Sequence, residues 1–108
     1  MMAATPEPPY VAVIFSSRRT PGDEGYSAMS ERMVELASQQ PGYLGMESAR
    51  GVDGFGITVS YWKDEASARA WKMVGEHQVA QREGKDHWYE AYEVRVATVT
   101  RAYGKRNA

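Results

Sequence analysis

Residues 56–71, GITVSYWKDEASARAW, join a strand to a helix, and their reading decides the fold. Phe55, Ile57, Val59 and Tyr61 alternate with Gly56, Thr58, Ser60 and Trp62, the period-two pattern that sends one row of side chains to each face of a sheet. Lys63 and Asp64 break the alternation. Asp64 has the short carboxylate that caps a helix start by accepting from a first-turn backbone N–H, so a helix is predicted from about Glu65 to Glu83. Gly75 either kinks that helix or splits it in two, at about 1 kcal/mol relative to alanine.

Upstream, Tyr43–Arg50 is a second strand, and Gly51-Val52-Asp53-Gly54 supplies the turn chemistry of an antiparallel hairpin. Tyr10–Ser17 (YVAVIFSS) is β-branched and aromatic, a further strand. After the Pro21- and Gly22-containing loop, Tyr26, Met29, Met33, Leu36 and Ala37 recur at helical steps, and Pro41–Gly42 ends the helix predicted over 26–40. Downstream, a break at Gly84–Asp86 and a turn at His87–Glu90 lead into a last strand, Glu93–Tyr103. The order β-α-β-β-α-β without repeats predicts an α+β, ferredoxin-like sandwich: a four-stranded antiparallel sheet with both helices on one face. Residues 1–9, with Pro6, Pro8 and Pro9, read as a disordered lead-in, 10–104 as the domain and 105–108 as a tail.

The strands are apolar on both faces. Val11, Val13 and Phe15 point one way while Ala12 and Ile14 point the other, although a sheet wetted on one side alternates with charges. A second copy of the sheet is the expected cover, giving a homodimer.

The chain has 108 residues, 13 basic and 14 acidic, for a net charge of −1, which argues against a nucleic-acid partner. No cysteine is present, so thiolate chemistry, iron–sulfur clusters and disulfides are excluded. The N-terminus MMAATPEPPY lacks a basic region followed by an apolar run, and no stretch approaches a membrane span. A cytoplasmic location without a membrane partner is the expectation. Two histidines without a spaced carboxylate cluster do not make a zinc site.

The β-α-β-β-α-β order, the passage ITVSYWKDEASARAW and the ending WYEAYEVRVATVTRAY together resemble the antibiotic biosynthesis monooxygenase domain, over about residues 10–104. The resemblance implies membership of the dimeric α/β-barrel superfamily, a homodimer of packed sheets and a cavity in each subunit between sheet and helices. It also implies an activity. The expected function is cofactor-free oxidation of a small aromatic or phenolic substrate, with haem or planar-ligand binding as the alternative and a non-catalytic dimeric domain as a third possibility.

His77 is the leading candidate residue. At about 100° per residue, Ala66, Ala70, Met73 and His77 share one helix face, expected to point inward. A neutral imidazole there would serve as a base, or as iron ligand if haem binds; no other metal ligand is expected. The haem-degrading branch that the chain resembles uses an asparagine on the first strand, but the only asparagine here is Asn107. The quinone-forming branch pairs an asparagine and a tryptophan on the third strand with an arginine and a tyrosine. Trp62 matches the tryptophan and Thr58 falls where the asparagine would be. Trp62 therefore joins His77 as a catalytic candidate, with Arg82 or Arg95 to stabilise an anion. Trp71, Trp88, Tyr61 and Tyr89 are the substrate-binding candidates, an aromatic wall with hydroxyl handles. Taken singly, each of the tryptophans reads first as core or dimer-interface packing and only second as a ligand contact.

Overall fold

The structure, a computed structural model, describes residues 2–22, 25–81 and 88–105, with only the backbone of 78–81. Arg82, His87, Asn107 and the break at 84–86 lie outside the described residues. The elements are β1 (Tyr10–Arg19), α1 (Tyr26–Ser38), β2 (Tyr43–Arg50), β3 (Phe55–Trp62), α2 (Glu65–Gln81) and β4 (Tyr89–Val99). The strands form one antiparallel sheet in the order β2-β3-β1-β4. This is the ferredoxin-like α+β sandwich that the sequence pattern predicts.

The turn between β2 and β3 closes as its composition dictates. Gly51 N–H donates to the Phe55 carbonyl at 2.8 Å, and the Asp53 carboxylate accepts from Phe55 N–H at 3.1 Å. Asp64 caps α2: its carboxylate accepts from Ser67 N–H at 2.8 Å, the bond that lowers its pKa.

Several details differ from the sequence reading: β1 runs on to Arg19 and α1 stops at Ser38. The α2 helix runs unbroken through Gly75. That glycine serves proximity, since a Cβ there would come within 3.2 Å of the Met33 methyl on α1. The last strand begins at Tyr89 and ends at Val99, because among the described residues it pairs with β1 alone, from Tyr10↔Val99 to Arg19↔Tyr89. Tyr89 and Tyr92 are therefore strand residues.

Register assigns the faces. The rows Val11–Trp62, Val13–Ser60 and Phe15–Thr58 face the helices, while Ala12–Tyr61, Ile14–Val59 and Ser16–Ile57 face away. The core lies under the helices: Val11, Ala37, Trp62, Ala68 and Trp71 are buried together, with Met33, Leu36 and Val74 packed against them. The Trp62 and Trp71 rings stack at 5.7 Å and 24°. The α1 helix sits over β2 and α2 over β1 and β3. The inner row of β4 stays bare: Tyr92, Val94 and Val96 are 46%, 46% and 52% exposed.

On the outer face, residues before β1 lie along the sheet. Ala3 N–H donates to one Glu47 carboxylate oxygen at 2.9 Å while Tyr61 O–H donates to the other at 2.6 Å. The Thr5 and Tyr10 hydroxyls are 2.9 Å apart. No helix among the described residues is long and apolar enough to cross a membrane.

Gly42 holds the start of α2 against the end of α1. It has φ of 82°, accepts from Lys63 N–H at 2.7 Å, and a Cβ on it would lie 2.1 Å from the Ser67 hydroxyl. Gly42→Ala should therefore lower the unfolding free energy by at least about 1–2 kcal/mol in urea titration, the cost of a left-handed alanine alone. An unchanged midpoint would show that this close approach does not constrain α2.

Candidate functional site

Because the helices lean towards β2 and β3, they leave a cavity of about 310 Å³ between themselves and the sheet. Its floor is two successive cross-sheet rows, Val96–Val13–Ser60–Met46 and Val94–Phe15–Thr58–Ser48. Met29 and Met33 of α1 and Ala68, Trp71 and Gly75 of α2 form its roof. Glu65, Arg69, Lys72 and Glu76 also line it, as two i,i+4 ion pairs along α2, Glu65–Arg69 and Glu76–Lys72.

One end is aromatic. Tyr26 opens α1, Tyr89 opens β4 and Trp88 stands just before it; the Tyr26 ring meets Trp88 and Tyr89 edge-on at 6.0 Å each. Phe15 packs on Tyr89 at 5.3 Å and on Tyr92 at 5.6 Å. All five rings line the cavity.

Behind Tyr26 stand two guanidinium groups. Arg19 lies over its ring, 3.5 Å from the centroid, and Arg50 is 5.9 Å from the same point. Register explains Arg50: it pairs with Gly56, whose missing side chain leaves the sheet bare there, and a Cβ on Gly56 would come within 2.8 Å of the guanidinium carbon. Arg50 crosses that gap to donate to the buried Ser17 hydroxyl at 2.8 Å and to the Ser17 and Gly54 carbonyls. Its Nη2 also lies 3.5 Å from the Tyr26 hydroxyl oxygen. Burial drives the Tyr89 phenol far above its ordinary pKa, helped by the charge and hydrogen bond of Tyr26 and opposed by Arg50 and Arg19. Tyr89 therefore stays protonated, a hydrogen-bond donor, throughout the neutral range.

The structure sorts the sequence candidates. Trp71, Trp88 and Tyr89 come together at the cavity, and Thr58 lines it as well. Trp62 does not: it is fully buried in the core, and its indole N–H donates to the Ser60 hydroxyl at 2.8 Å. Tyr61 and Arg95 sit on the outer sheet face, Tyr61 bonded to Glu47 and Arg95 to Glu93. His77 is exposed and does not line the cavity. The expected inward stripe is the outward one: Ala66 and Ala70 are exposed and Met73 is 74% exposed. Trp71 fixes the phase, placing Ala68, Trp71 and Gly75 inward, and His77 lies about 200° round from Gly75. A planar ligand in the cavity would not meet the His77 imidazole. Among the described residues no cluster of three His, Cys, Asp or Glu could hold a metal.

Tyr26, Arg19 and Arg50 escaped the sequence reading. The arginines stand beside turns, where a charge reads as solvated; the legible cue was Gly56, a bare strand position opposite Arg50.

The fold and the cavity can be set beside known proteins. Residues 9–83 match the antibiotic biosynthesis monooxygenase family. The chain belongs to that family. A Bacillus subtilis protein, YqjZ, described as uncharacterized, is 54% identical over 100 residues, covering 93% of this chain and 88% of its own. The jasmonate monooxygenase ABM of Pyricularia oryzae is 28% identical over 92 residues, which span 82% of this chain and 43% of that protein. Among solved structures, a variant of SnoaB, a cofactor-independent oxygenase from Streptomyces nogalater, superposes with a TM-score of 0.73 at 12% identity over 89% of this chain and 98% of its own. Protein SO0527 from Shewanella oneidensis gives 0.72 at 12% identity over 87% of this chain and 94% of its own. At such identities the two structures establish the shared fold.

Two outcomes follow from the buried polar groups. Ser60→Ala strands the Trp62 N–H in the core and should cost about 1–3 kcal/mol in urea unfolding; a smaller loss would mean that the bond is replaced. Burial raises the phenols of Tyr43 and Tyr89, and burial with the Glu47 bond pushes Tyr61 up to about 12. A phenol with a raised folded pKa contributes stability that is complete below its unfolded value of about 10 and lost as pH climbs through the folded value. Stability should therefore fall from about pH 10 upward, with a shallower decline in Tyr61→Phe and Tyr89→Phe. Ionisation of all seven tyrosines as one ordinary step at 295 nm would contradict it.

Proposed function

We propose that this protein is a cofactor-independent monooxygenase that oxidises a small aromatic or phenolic substrate held between sheet and helices. The observation carrying this reading is the aromatic cavity of about 310 Å³, at the lower end of the range for small-molecule sites. Trp71, Trp88 and Phe15 offer faces and edges for a ring, while Tyr26, Tyr89 and Ser60 supply hydroxyls to orient its oxygens. Membership of the monooxygenase family supports the same conclusion.

The chemistry asks little of the protein beyond a dry, oriented site. Once the phenol loses its proton, the electron-rich phenolate passes an electron to O₂. Recombination of the resulting pair forms a carbon–oxygen bond, and loss of water leaves the quinone, with one oxygen atom in the product and the other in that water. O₂ is the only oxidant, so the balance needs no metal or organic cofactor. Because His77 lies outside the cavity, deprotonation falls to the carboxylates that line it, Glu65 and Glu76.

The working unit in this proposal is a homodimer, with a second sheet covering the outer face. Phe55 and Ile57 are 43% and 41% exposed there, beside the half-buried Ile14 and Val59.

Oxygen uptake with a panel of polyphenols, followed by quinone absorbance, tests the reading. At least one phenol should be turned over. Trp71→Ala should slow it about ten-fold or more, and His77→Ala should leave it unchanged. Absence of uptake across the panel, or a rate that depends on His77 and not on Trp71, would reject the cavity as the reaction site. Sedimentation equilibrium addresses assembly: the parent should be a dimer at micromolar concentration and Ile57→Asp a folded monomer. A monomeric parent would remove the dimer.

A further inference from the structure

We infer that Gly75 and Met33 form a size gauge in the cavity roof: the bare helix position makes room for a ring system that runs on past Trp71, and the Met33 arm limits how large that ring system is. The inference rests on the reading of the cavity as the ligand site and adds the residues that decide which ring systems fit it.

Gly75 carries the inference. Glycine inside a helix is unfavourable relative to alanine, so its presence there needs a reason. Gly75 stands inside α2, one turn on from Trp71, and the helix runs through it unbroken. A left-handed backbone is not the reason, since among the described residues the glycines with positive φ are Gly22, Gly25, Gly42 and Gly54. Nor is a close approach of backbone. A Cβ on Gly56 would come within 3.0 Å of the Ala49 carbonyl oxygen, and one on Gly54 within 3.2 Å of that of Arg19. At Gly75, apart from its own helix backbone, the one described atom within 4 Å is the Met33 methyl, at 3.2 Å. That methyl ends a flexible, unbranched thioether arm, which can turn aside. No fixed wall forbids a side chain at position 75.

What the bare position serves is space. Gly75 and Met33 both line the cavity. Met33 is half-buried and packs, like Val74, on the core that holds Trp62 and Trp71. A methyl displaced from beside position 75 therefore meets packed side chains on the core side and open volume on the other, so it moves into the cavity. Met29 also lines the cavity, but it is only 3% exposed and belongs to the fixed part of the roof. Met33 is the adjustable part. Ala68, Trp71 and Gly75 share the inner face of α2, so a ring system lying against Trp71 and growing along the helix reaches Gly75 next. The gauge fits a cavity of about 310 Å³ to phenols of one or two fused rings and stops larger fused systems at the Met33 arm.

Calorimetric titration of the full-length protein under argon, which reads binding without oxidation, tests the gauge with phenol, 2-naphthol and 1-hydroxypyrene. These probes share a hydroxyl and differ in the number of fused rings. The parent should bind phenol and 2-naphthol, with 1-hydroxypyrene about ten-fold weaker than 2-naphthol or worse. Gly75→Ala should weaken 2-naphthol by about ten-fold and phenol by less than about two-fold. Met33→Ala should bring 1-hydroxypyrene to within about three-fold of 2-naphthol. The double variant should recover the parent's 2-naphthol affinity to within about three-fold, because no long arm is left to be displaced. The urea midpoint of Gly75→Ala should be unchanged or raised, since alanine favours the helix once Met33 has stepped aside. A lowered midpoint would make Gly75 a packing position and overturn the gauge. Affinities that are the same in parent and variants, or a double variant as weak for 2-naphthol as Gly75→Ala, overturn it too and leave the cavity reading intact. Binding of none of the three probes by the parent or any variant sinks the cavity reading itself.

Discussion

The stack of Trp62 on Trp71 is the contact from which the rest of this structure follows. Trp62 ends β3 and Trp71 stands two turns into α2, so joining their rings folds the helix back over the strand it has just left. Each indole removes about 150–250 Å² from water, more than small side chains at 66 and 70 can offer together. Helix phase follows from that inequality. Ala68 and Gly75 turn inward with Trp71, and Met73 and His77 turn out. The Trp62–Ser60 hydrogen bond then pins the stack to the sheet and leaves no polar atom of the indole unpaired.

A cavity results because that anchor is off-centre. With α2 drawn over β1 and β3, and α1 over β2, no helix packs closely on Tyr92, Val94 and Val96, the inner row of β4. Space between sheet and roof is lined by what the strands present at period two: valines, Phe15, and the small polar Ser48, Thr58 and Ser60. SnoaB has the same architecture at 12% identity. Such a fold depends on the placing of apolar rows and turns, which many sequences satisfy.

The two faces of the sheet solve different problems. The inner face holds the core and the cavity. The outer face is covered at the β2 end by residues 3–10, tied through Glu47 to Tyr61, and left apolar around Phe55 and Ile57. A carboxylate that accepts from both the Ala3 N–H and the Tyr61 hydroxyl serves the architecture of that face. Tyr61 is thereby removed from the cavity, although its neighbour Ser60 lines it.

Local chemistry was readable in the sequence because it depends on neighbours along the chain. Alternation, the Asp64 cap, the Gly51–Gly54 turn and the Pro41–Gly42 stop each act within a few residues, and they sufficed for element order and sheet type, while the family came from the resemblance of two longer passages, ITVSYWKDEASARAW and WYEAYEVRVATVTRAY. Register added the sorting of Phe15, Thr58 and Ser60 to one face and Tyr61 to the other. Helix phase was not readable: two candidate stripes on α2 compete, and the burial of Trp71 against a residue nine positions earlier decides between them. Nor was the cluster of Arg19, Arg50, Tyr26 and Tyr89 visible. Its members come from β1, β2, α1 and β4, and Gly56 must be bare for one of them to cross the sheet. Spacing along a chain carries short-range geometry, whereas a cluster of two arginines and two tyrosines drawn from four elements exists only once the sheet has closed.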